Sequence, residues 1–286
     1  MRRHGLTFFN LIILTFLSAC AGMNSSPSTG SNNEPTVVEF TSGGKSLHGY
    51  LVKPEGDGPF PVIVFNHGSE SDPKAHLDLE KFYTDLGFVV FEPHRTGHGL
   101  SAEAGPDINA QTEALPDGLT NEEFQAALWD LHQKANEDVI AAIQWVKGQS
   151  YVDTGRIVVS GFSYGGIQTI ITAEKSDSLG LGIRAFVPFA PGAISWNPYL
   201  SDYLSSAVQN AGPPMFLIQA ANDYSIEPST VLGAILQTKG TPNGHKVYPA
   251  FGDTEEEGHA GFALSADGAA IWGPDVLAFF QATGVR

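Results

Sequence analysis

Five short apolar runs recur along the chain, separated by segments whose apolar residues follow a helical period. Nearly continuous apolar runs of this length predict strands that are buried on both faces of a parallel sheet. Their alternation with helices predicts an α/β fold, a mostly parallel twisted sheet with helices on both faces. The predicted strands are residues 61–65, 88–91, 157–160, 184–188 and 215–219, and the predicted helices are residues 77–86, 121–147 (with one possible break), 164–174, 228–237 and 268–282.

The two ends of this pattern differ from its middle. Residues 37–40 and 47–52 are short strand-like runs on either side of Gly43 and Gly44, which predicts an antiparallel hairpin at the edge of the sheet. Residues 245–248 predict one more strand shortly before the last helix.

Two stretches have no clear period. Residues 99–118 are rich in Gly, Pro, Asp and Ala, and residues 195–210 mix aromatic and polar side chains. We predict lid elements over about residues 99–130 and 193–212, and the alternative is ordinary surface packing.

The amino terminus has the pattern of a secretory signal. Arg2 and Arg3 precede an apolar run over residues 6–17, which is shorter than the roughly 20 residues that span a bilayer as a helix. Residues 17–20, Leu-Ser-Ala-Cys, resemble a bacterial lipobox, in which the chain is cut before a cysteine that is then acylated. We predict a lipoprotein signal peptide at residues 1–19 and a location on the extracytoplasmic side of a bacterial envelope membrane. An ordinary signal followed by a chance cysteine is the alternative.

The rest of the chain predicts a tether followed by one domain. Residues 20–35 begin with the lipidated Cys20 of this hypothesis and are rich in Ser, Asn, Gly and Pro, which is typical of a flexible tether. Residues 36–286 are long enough for one sizeable core. Because Cys20 is the only cysteine, no intrachain disulfide and no cysteine metal cluster can form.

Charge and histidine spacing exclude two further classes. The chain has 15 Lys and Arg against 31 Asp and Glu, a net charge of −16, and such a surface repels nucleic acid. His94 and His98 have the i, i+4 spacing that could hold a metal on a helix, but Gly97 and Gly99 disfavour a helix there. We therefore expect no metal.

The segment Gly161-Phe162-Ser163-Tyr164-Gly165 carries the first chemical motif. It matches G-x-S-x-G and falls between a predicted buried strand and a predicted helix, where a nucleophile elbow belongs. The amino terminus of the helix behind Ser163 also favours negative charge. We predict that Ser163 is a nucleophile, and the alternative is a Gly-Ser turn without chemistry.

A serine hydroxyl needs a base that removes its proton. Only His245 and His259 follow Ser163 in the sequence. His245 belongs to a predicted strand, where it packs or faces solvent, whereas His259 belongs to a predicted loop before the last helix. We predict that His259 is the base.

An acidic residue should orient that imidazole. Asp223 directly follows the strand at residues 215–219, and its carboxylate can accept a hydrogen bond from the imidazole. Asp202 and Asp253 are rivals, but the first precedes this strand in an irregular stretch and the second is very near His259. We predict Asp223 as the acid.

Residues 65–69, Phe-Asn-His-Gly-Ser, end an early strand and predict half of an oxyanion hole. We assign one donor to the backbone N–H of Tyr164 and the other to that of Ser69 or a neighbour in the same loop. His67 is expected to shape this loop rather than to act directly. Arg95 is expected to pair with a carboxylate, of the protein in preference to the substrate.

Five segments carry a resemblance to a known family: residues 66–69, 93–101, 161–165, 222–224 and 257–262. Together they resemble the dienelactone-hydrolase-like branch of the α/β hydrolases. The resemblance covers nearly all of the folded part and implies an ester or lactone substrate, no cofactor, and a triad of Ser163, Asp223 and His259. Dienelactone hydrolases proper use a cysteine where this chain has Ser163, a departure that concerns the dienelactone substrate and leaves the acyl-transfer chemistry intact.

The leading hypothesis is therefore a membrane-anchored serine hydrolase that cleaves a small ester or lactone through an acyl-enzyme. One alternative is a serine peptidase of the prolyl-oligopeptidase kind acting on short peptides, although such enzymes usually carry a large N-terminal propeller. Another is a surface lipoprotein that keeps the fold for binding alone.

Overall fold

The computed structural model describes residues 34–286. The predicted signal peptide, Cys20 and most of the predicted tether lie outside the described residues, so these remain predictions. None of the helices within residues 34–286 combines the length and the apolar composition that crossing a bilayer requires.

The described residues form one eight-stranded sheet. The strands are β1 (Thr36–Ser42), β2 (Lys45–Val52), β3 (Phe60–Asn66), β4 (Val89–Pro93), β5 (Val152–Phe162), β6 (Ala185–Phe189), β7 (Phe216–Ala220) and β8 (Gly244–Tyr248). Their order across the sheet is β1-β2-β4-β3-β5-β6-β7-β8. β2 pairs antiparallel with both of its neighbours, and all other pairs are parallel. The predicted parallel sheet with an antiparallel edge hairpin is confirmed.

Eight α-helices accompany the sheet in the described part of the chain. They are α1 (Leu77–Asp85), α2 (Ile108–Glu113), α3 (Asn121–Lys147), α4 (Tyr164–Lys175), α5 (Pro198–Asn210), α6 (Glu227–Lys239), α7 (Phe262–Leu264) and α8 (Ala266–Ala282). A short 3₁₀ helix spans Gly99–Ala104 and a π-helical turn spans Glu257–Gly261.

Two hydrophobic cores lie on opposite faces of this sheet. Successive side chains of a strand point to opposite faces, and in β3 both sets are buried. Val62 and Val64 belong to the core beneath α3 to α6, whereas Ile63 and Phe65 belong to the core beneath α1 and α8. This double burial explains why the sequence of β3 is continuously apolar, and it confirms helices on both faces.

Local capping signals set the beginnings of two helices, α3 and α5. At α3 the Thr120 hydroxyl accepts from the Glu123 N–H at 3.2 Å, and the Glu123 carboxylate accepts from the Thr120 N–H at 2.8 Å. At α5 the Asn197 side chain accepts from backbone N–H groups of the first turn, and Pro198 occupies the first helical position. The break considered in α3 does not occur, because the helix runs unbroken for 27 residues.

Candidate active site

Ser163 lies in the sharp turn between β5 and α4, at the carboxyl edge of the sheet. Its backbone has φ 54° and ψ −118°, a strained conformation for a residue with a side chain. The Ser163 N–H donates to the Phe189 carbonyl at 3.0 Å, and the Ser163 carbonyl accepts from the Ile167 N–H at 3.2 Å. These bonds to β6 and α4 hold the turn in place, so the elbow predicted from G-x-S-x-G has the expected local geometry.

Both glycines of the motif are required by close packing. A Cβ atom added at Gly165 would lie 2.0 Å from the Asn66 carbonyl oxygen, and one added at Gly161 would lie 2.6 Å from the Gly165 carbonyl oxygen. Neither position therefore admits a side chain while β3, β5 and α4 keep their spacing.

Asp223 and His259 form a buried hydrogen-bonded pair. The distance from His259 Nδ1 to Asp223 Oδ1 is 2.8 Å. Asp223 Oδ1 also accepts from the Tyr224 N–H at 2.7 Å, and Asp223 Oδ2 accepts from Gln219 Nε2 at 2.9 Å. Because an ionised carboxylate only accepts, His259 carries its proton on Nδ1, and Nε2 is left as the basic nitrogen.

His259 is close to the turn that carries Ser163, but no hydrogen bond joins the two residues. The His259 ring packs against Phe162, the residue before Ser163, with 6.0 Å between the ring centroids. His259 Nε2 is buried and has no hydrogen-bond partner among the described residues. The structure therefore brings Asp223 and His259, the predicted acid and base, into contact and shows no hydrogen bond from His259 to Ser163, the predicted nucleophile. Such bonds often tighten only when substrate binds.

His259 belongs to a helical turn and not to the loop that the sequence predicted. The reason is a reciprocal cap: the Thr254 hydroxyl accepts from the Glu257 N–H at 3.1 Å, and the Glu257 carboxylate accepts from the Thr254 N–H at 2.9 Å. Asn222 also fixes this region, because its side chain donates to the Phe251 and Thr254 carbonyls at 2.9 and 2.8 Å.

A cavity of about 350 Å³ opens at Ser163. Ser69 and Tyr164, the two residues assigned to the oxyanion hole, line it together with Ser163. Their backbone N–H groups donate to no acceptor that the described part of the chain offers. The remaining lining residues are Ile108, Asn109, Thr112, Glu113, Leu128, His132, Ile167, Gly192, Ile194 and Ser195. Several come from the segments predicted as lid elements, whose mobility remains a prediction.

Sequence reasoning missed His132, a buried histidine of α3 in this cavity wall. Burial, followed by the charge of Arg95, lowers the pKa of His132 to about 4, so its imidazole is neutral at pH 7. Its Nδ1 has no hydrogen-bond partner within residues 34–286. A histidine in the middle of a long helix pattern gives no signal in the sequence that it faces a cavity.

Arg95 forms no ion pair with a carboxylate of residues 34–286, and the expectation of a protein carboxylate partner is wrong for this part of the chain. Its Nη2 donates to the His67 carbonyl at 2.8 Å and to the Gly68 carbonyl at 2.6 Å. His67 in turn accepts the Arg95 backbone N–H on Nε2 at 3.3 Å and donates from Nδ1 to the Gly68 carbonyl at 2.9 Å. His67 therefore takes part in the structure of the loop.

The rival residues lie elsewhere. His245 is in β8, with its ring against Gly233 of α6. Asp202 is exposed on α5. Asp253 is exposed too, and its backbone N–H donates to the Glu257 carboxylate.

The two histidines tested for metal spacing have backbone partners. His94 Nδ1 accepts from the Leu100 N–H at 2.9 Å, and His98 Nδ1 donates to the Glu70 carbonyl at 2.8 Å. They lie on opposite sides of Gly97, which has a positive φ of 84°. Burial, followed by the charge of Arg95, lowers the pKa of His94 to about 3 and that of His98 to about 4.

Comparison with known proteins finds similar sequences and similar structures. The model of the prolyl oligopeptidase family matches residues 118–189, which include the Ser163 turn. Esterase FrsA of Klebsiella pneumoniae is 25% identical over 130 residues, 45% of this chain and 25% of that protein. The acylaminoacyl peptidase of Pyrococcus horikoshii has a TM-score of 0.61 and 18% identity, over 87% of this chain and 41% of the peptidase chain.

A further solved structure is covered by the similarity over nearly the whole of its own length. A Klebsiella pneumoniae protein named "Putative Dienelactone Hydrolase" has a TM-score of 0.62 and 17% identity, over 87% of this chain and 99% of that chain. By contrast, the alignments with two curated esterases cover 43% and 25% of the relatives' own lengths.

The sheet order and these structural similarities define one fold. The described residues have the fold of the α/β hydrolases, as the sequence predicted. The similarities of the chain are to esterases and serine hydrolases.

Proposed function

We propose that this protein is a serine hydrolase that cleaves a carboxylic ester or lactone with Ser163, His259 and Asp223. The observation that supports it best is the buried Asp223–His259 hydrogen bond of 2.8 Å, which lies beside the strained turn of Ser163. A serine in such a turn, close to an oriented imidazole and facing a cavity, is the arrangement that acyl transfer requires.

In the proposed reaction, Ser163 Oγ bonds to the substrate carbonyl carbon while its proton passes to His259 Nε2. The carbonyl oxygen becomes an oxyanion, which the N–H groups of Tyr164 and Ser69 stabilise. When the C–O bond of the ester breaks, the leaving oxygen takes the proton from His259 and departs as an alcohol. Water then repeats the sequence on the acyl-enzyme and releases the acid, so that Ser163 regains its proton.

The cavity supports a substrate with an aliphatic acyl group. Four of its lining side chains are aliphatic: Ile108, Leu128, Ile167 and Ile194. The resemblance to dienelactone hydrolases and the similarity to Esterase FrsA agree with an ester or lactone substrate. The neutral His132 in the cavity wall would give that substrate a polar contact.

A peptidase acting on short peptides is the second candidate. It is favoured by the match of the prolyl oligopeptidase family over residues 118–189 and by the similarity to an acylaminoacyl peptidase. The same three residues would serve, since amide and ester hydrolysis share the acyl-enzyme. Turnover of acylated dipeptide p-nitroanilides faster than of matched p-nitrophenyl esters would favour this candidate.

The central test is the variant Ser163→Ala. We expect it to lower kcat for p-nitrophenyl esters on the order of 10⁴-fold or more and to abolish labelling by a fluorophosphonate probe. Ser178→Ala, a change at an exposed serine, is the matched control and should keep full activity. A folded Ser163→Ala protein with undiminished turnover would refute the assignment, and a wild-type protein that neither turns over esters nor takes the probe would favour a binding role.

We also propose that Cys20 anchors this hydrolase to a membrane of the bacterial envelope. Two or three acyl chains would suffice, because each buried CH₂ contributes roughly 0.8 kcal/mol. Radiolabelled palmitate should enter the wild-type protein and not Cys20→Ser, and equal labelling of both would exclude this anchor.

A further inference from the structure

Arg95 is a buried guanidinium without a carboxylate partner among residues 34–286. It lies two residues after the end of β4 and is 1% exposed. No ion pair joins it to any acidic side chain of residues 34–286, and its Nε and Nη1 have no hydrogen-bond partner there. Burying an unpaired charge costs several kcal/mol, so stability alone does not explain this residue.

The contacts of Arg95 are with one loop and one ring. Its Nη2 donates to the consecutive carbonyls of His67 and Gly68, at 2.8 and 2.6 Å. The guanidinium also lies over the Tyr164 ring, 4.7 Å from its centroid. Arg95 thus contacts the loop that precedes Ser69 and the side chain of Tyr164. Ser69 and Tyr164 are the residues that supply the proposed oxyanion donors.

The geometry of a peptide bond connects these contacts to the Ser69 N–H. The Gly68 carbonyl and the Ser69 N–H belong to the same planar trans peptide and point in opposite directions. A donor that fixes the direction of the Gly68 oxygen therefore also fixes the direction of the Ser69 hydrogen. The Ser69 carbonyl is held as well, because it accepts from Asn109 Nδ2 at 2.8 Å.

The charge of Arg95 adds an electronic effect. A cation bonded to a carbonyl oxygen polarises the peptide and strengthens the N–H of that peptide as a donor. Burial lowers the pKa of Arg95, while Tyr164, Glu70 and Asp138 act in the opposite direction. An arginine keeps its proton at neutral pH even when its pKa falls, so the polarising charge is present.

We propose that Arg95 is a positioning residue for the oxyanion hole: by binding the His67 and Gly68 carbonyls it turns the Ser69 N–H toward the cavity and makes it a stronger donor. This inference rests on the proposed function for its kinetic consequence, since an oxyanion arises only if acyl transfer takes place. Its structural part concerns the orientation of one peptide and holds independently of the reaction.

The kinetic test compares Arg95→Met, Arg95→Lys and the wild-type protein on a p-nitrophenyl ester. Because the oxyanion exists only in the transition state, Arg95→Met should lower kcat on the order of 100-fold and change KM by less than about threefold. Arg95→Lys retains the charge and should recover part of kcat. Arg156→Met removes a partly exposed arginine paired with Asp153 and should leave both constants unchanged.

A second readout needs no substrate. In uniformly ¹⁵N-labelled protein, the amide resonance of Ser69 should shift in Arg95→Met, less in Arg95→Lys, and not in Arg156→Met. The amide resonance of the exposed Ser178 reports whether each variant keeps its fold. If Arg95→Met does not fold, Arg95→Lys carries both tests, because it preserves the buried charge.

Each result decides the matter. A folded variant of Arg95 with an unshifted Ser69 amide overturns the proposal, whatever the enzyme hydrolyses. A shifted amide with kcat within twofold of the wild type also overturns it, because the peptide then moves without kinetic effect. Failure of the proposed function would appear differently, as ester turnover that survives in Ser163→Ala.

Discussion

Glu80 is a buried acidic side chain of α1, 2% exposed, and it makes the stability of the fold depend on pH. Burial, followed by the charge of Glu92, raises the pKa of Glu80 to about 8, and His76 opposes this rise. Glu92 is also buried and binds His76 Nδ1 at 3.0 Å. Glu80 is therefore largely protonated in the folded protein at pH 7, whereas it is ionised in the unfolded chain.

The direction of the effect follows from that difference. Since the pKa of Glu80 is raised above its ordinary value of 4.5, the folded state holds a proton that the unfolded state releases. The contribution of Glu80 to stability is complete below about pH 4.5 and declines as the pH rises toward 8. At 1.36 kcal/mol per pH unit, the free energy of unfolding falls by about 3 kcal/mol between pH 4.5 and pH 7.

The variant Glu80→Gln replaces the protonated carboxyl by a neutral side chain of the same shape. At pH 7 we expect its free energy of unfolding to exceed that of the wild type by up to about 3 kcal/mol, and at pH 4.5 we expect the two to be nearly equal. Urea unfolding followed by tryptophan fluorescence at pH 4.5, 5.5 and 7 measures the free energy of unfolding of the variant and of the wild type. Glu103→Gln, at an exposed position, is the control and should follow the wild type. The reasoning would be refuted if the difference in free energy of unfolding between Glu80→Gln and the wild type stayed constant over this pH range or increased toward low pH.

Three further predictions concern the site. Gly165→Ala places a Cβ 2.0 Å from the Asn66 carbonyl and should cost several kcal/mol in thermal unfolding; a Tm within 2 °C of the wild type would show that α4 can shift. Gln219→Met removes the donor to Asp223 Oδ2 and should lower kcat about 10- to 100-fold, as expected for a hydrogen bond to a charged group; unchanged kcat would mean that His259 and the Tyr224 N–H suffice to orient the carboxylate. Ile194→Trp narrows the cavity rim and should lower the octanoate-to-acetate ratio of kcat/KM about tenfold, and an unchanged ratio would place the acyl chain elsewhere.

The parallel strands could be predicted because their burial leaves a direct mark on the sequence. β3 and β7 are covered on both faces, so nearly every position in them is apolar. α5 was not predicted as a helix, although its buried residues Leu200, Leu204, Ala207 and Val208 follow a helical period. Its start was nevertheless encoded in Asn197 and Pro198, whose role as cap and first helical residue depends on local hydrogen bonds rather than on periodicity.

The candidate site was predictable where chain order and strand ends sufficed. Asp223 and His259 are 36 residues apart in sequence, yet each follows a strand at the same edge of the sheet, and the structure brings them into contact. The partners of Arg95 could not be predicted, because they are backbone carbonyls, which leave no trace in side-chain identity. In the sequence Gln219 is only a polar residue at the end of an apolar run. Its hydrogen bond to the Asp223 carboxylate is seen only in the structure.

The Ser163 turn and the proposed oxyanion loop are one packed unit, which links their energetics. The Asn66 carbonyl borders Gly165 of α4, and the Asn66 side chain donates to the Ser160 carbonyl of β5 at 3.2 Å, so the end of β3 contacts the elements on both sides of the turn. The strained backbone of Ser163 costs on the order of 1–3 kcal/mol and persists only because such contacts over-determine it. Changes in either segment should therefore have non-additive effects on kcat, since each displaces a structure that the other needs.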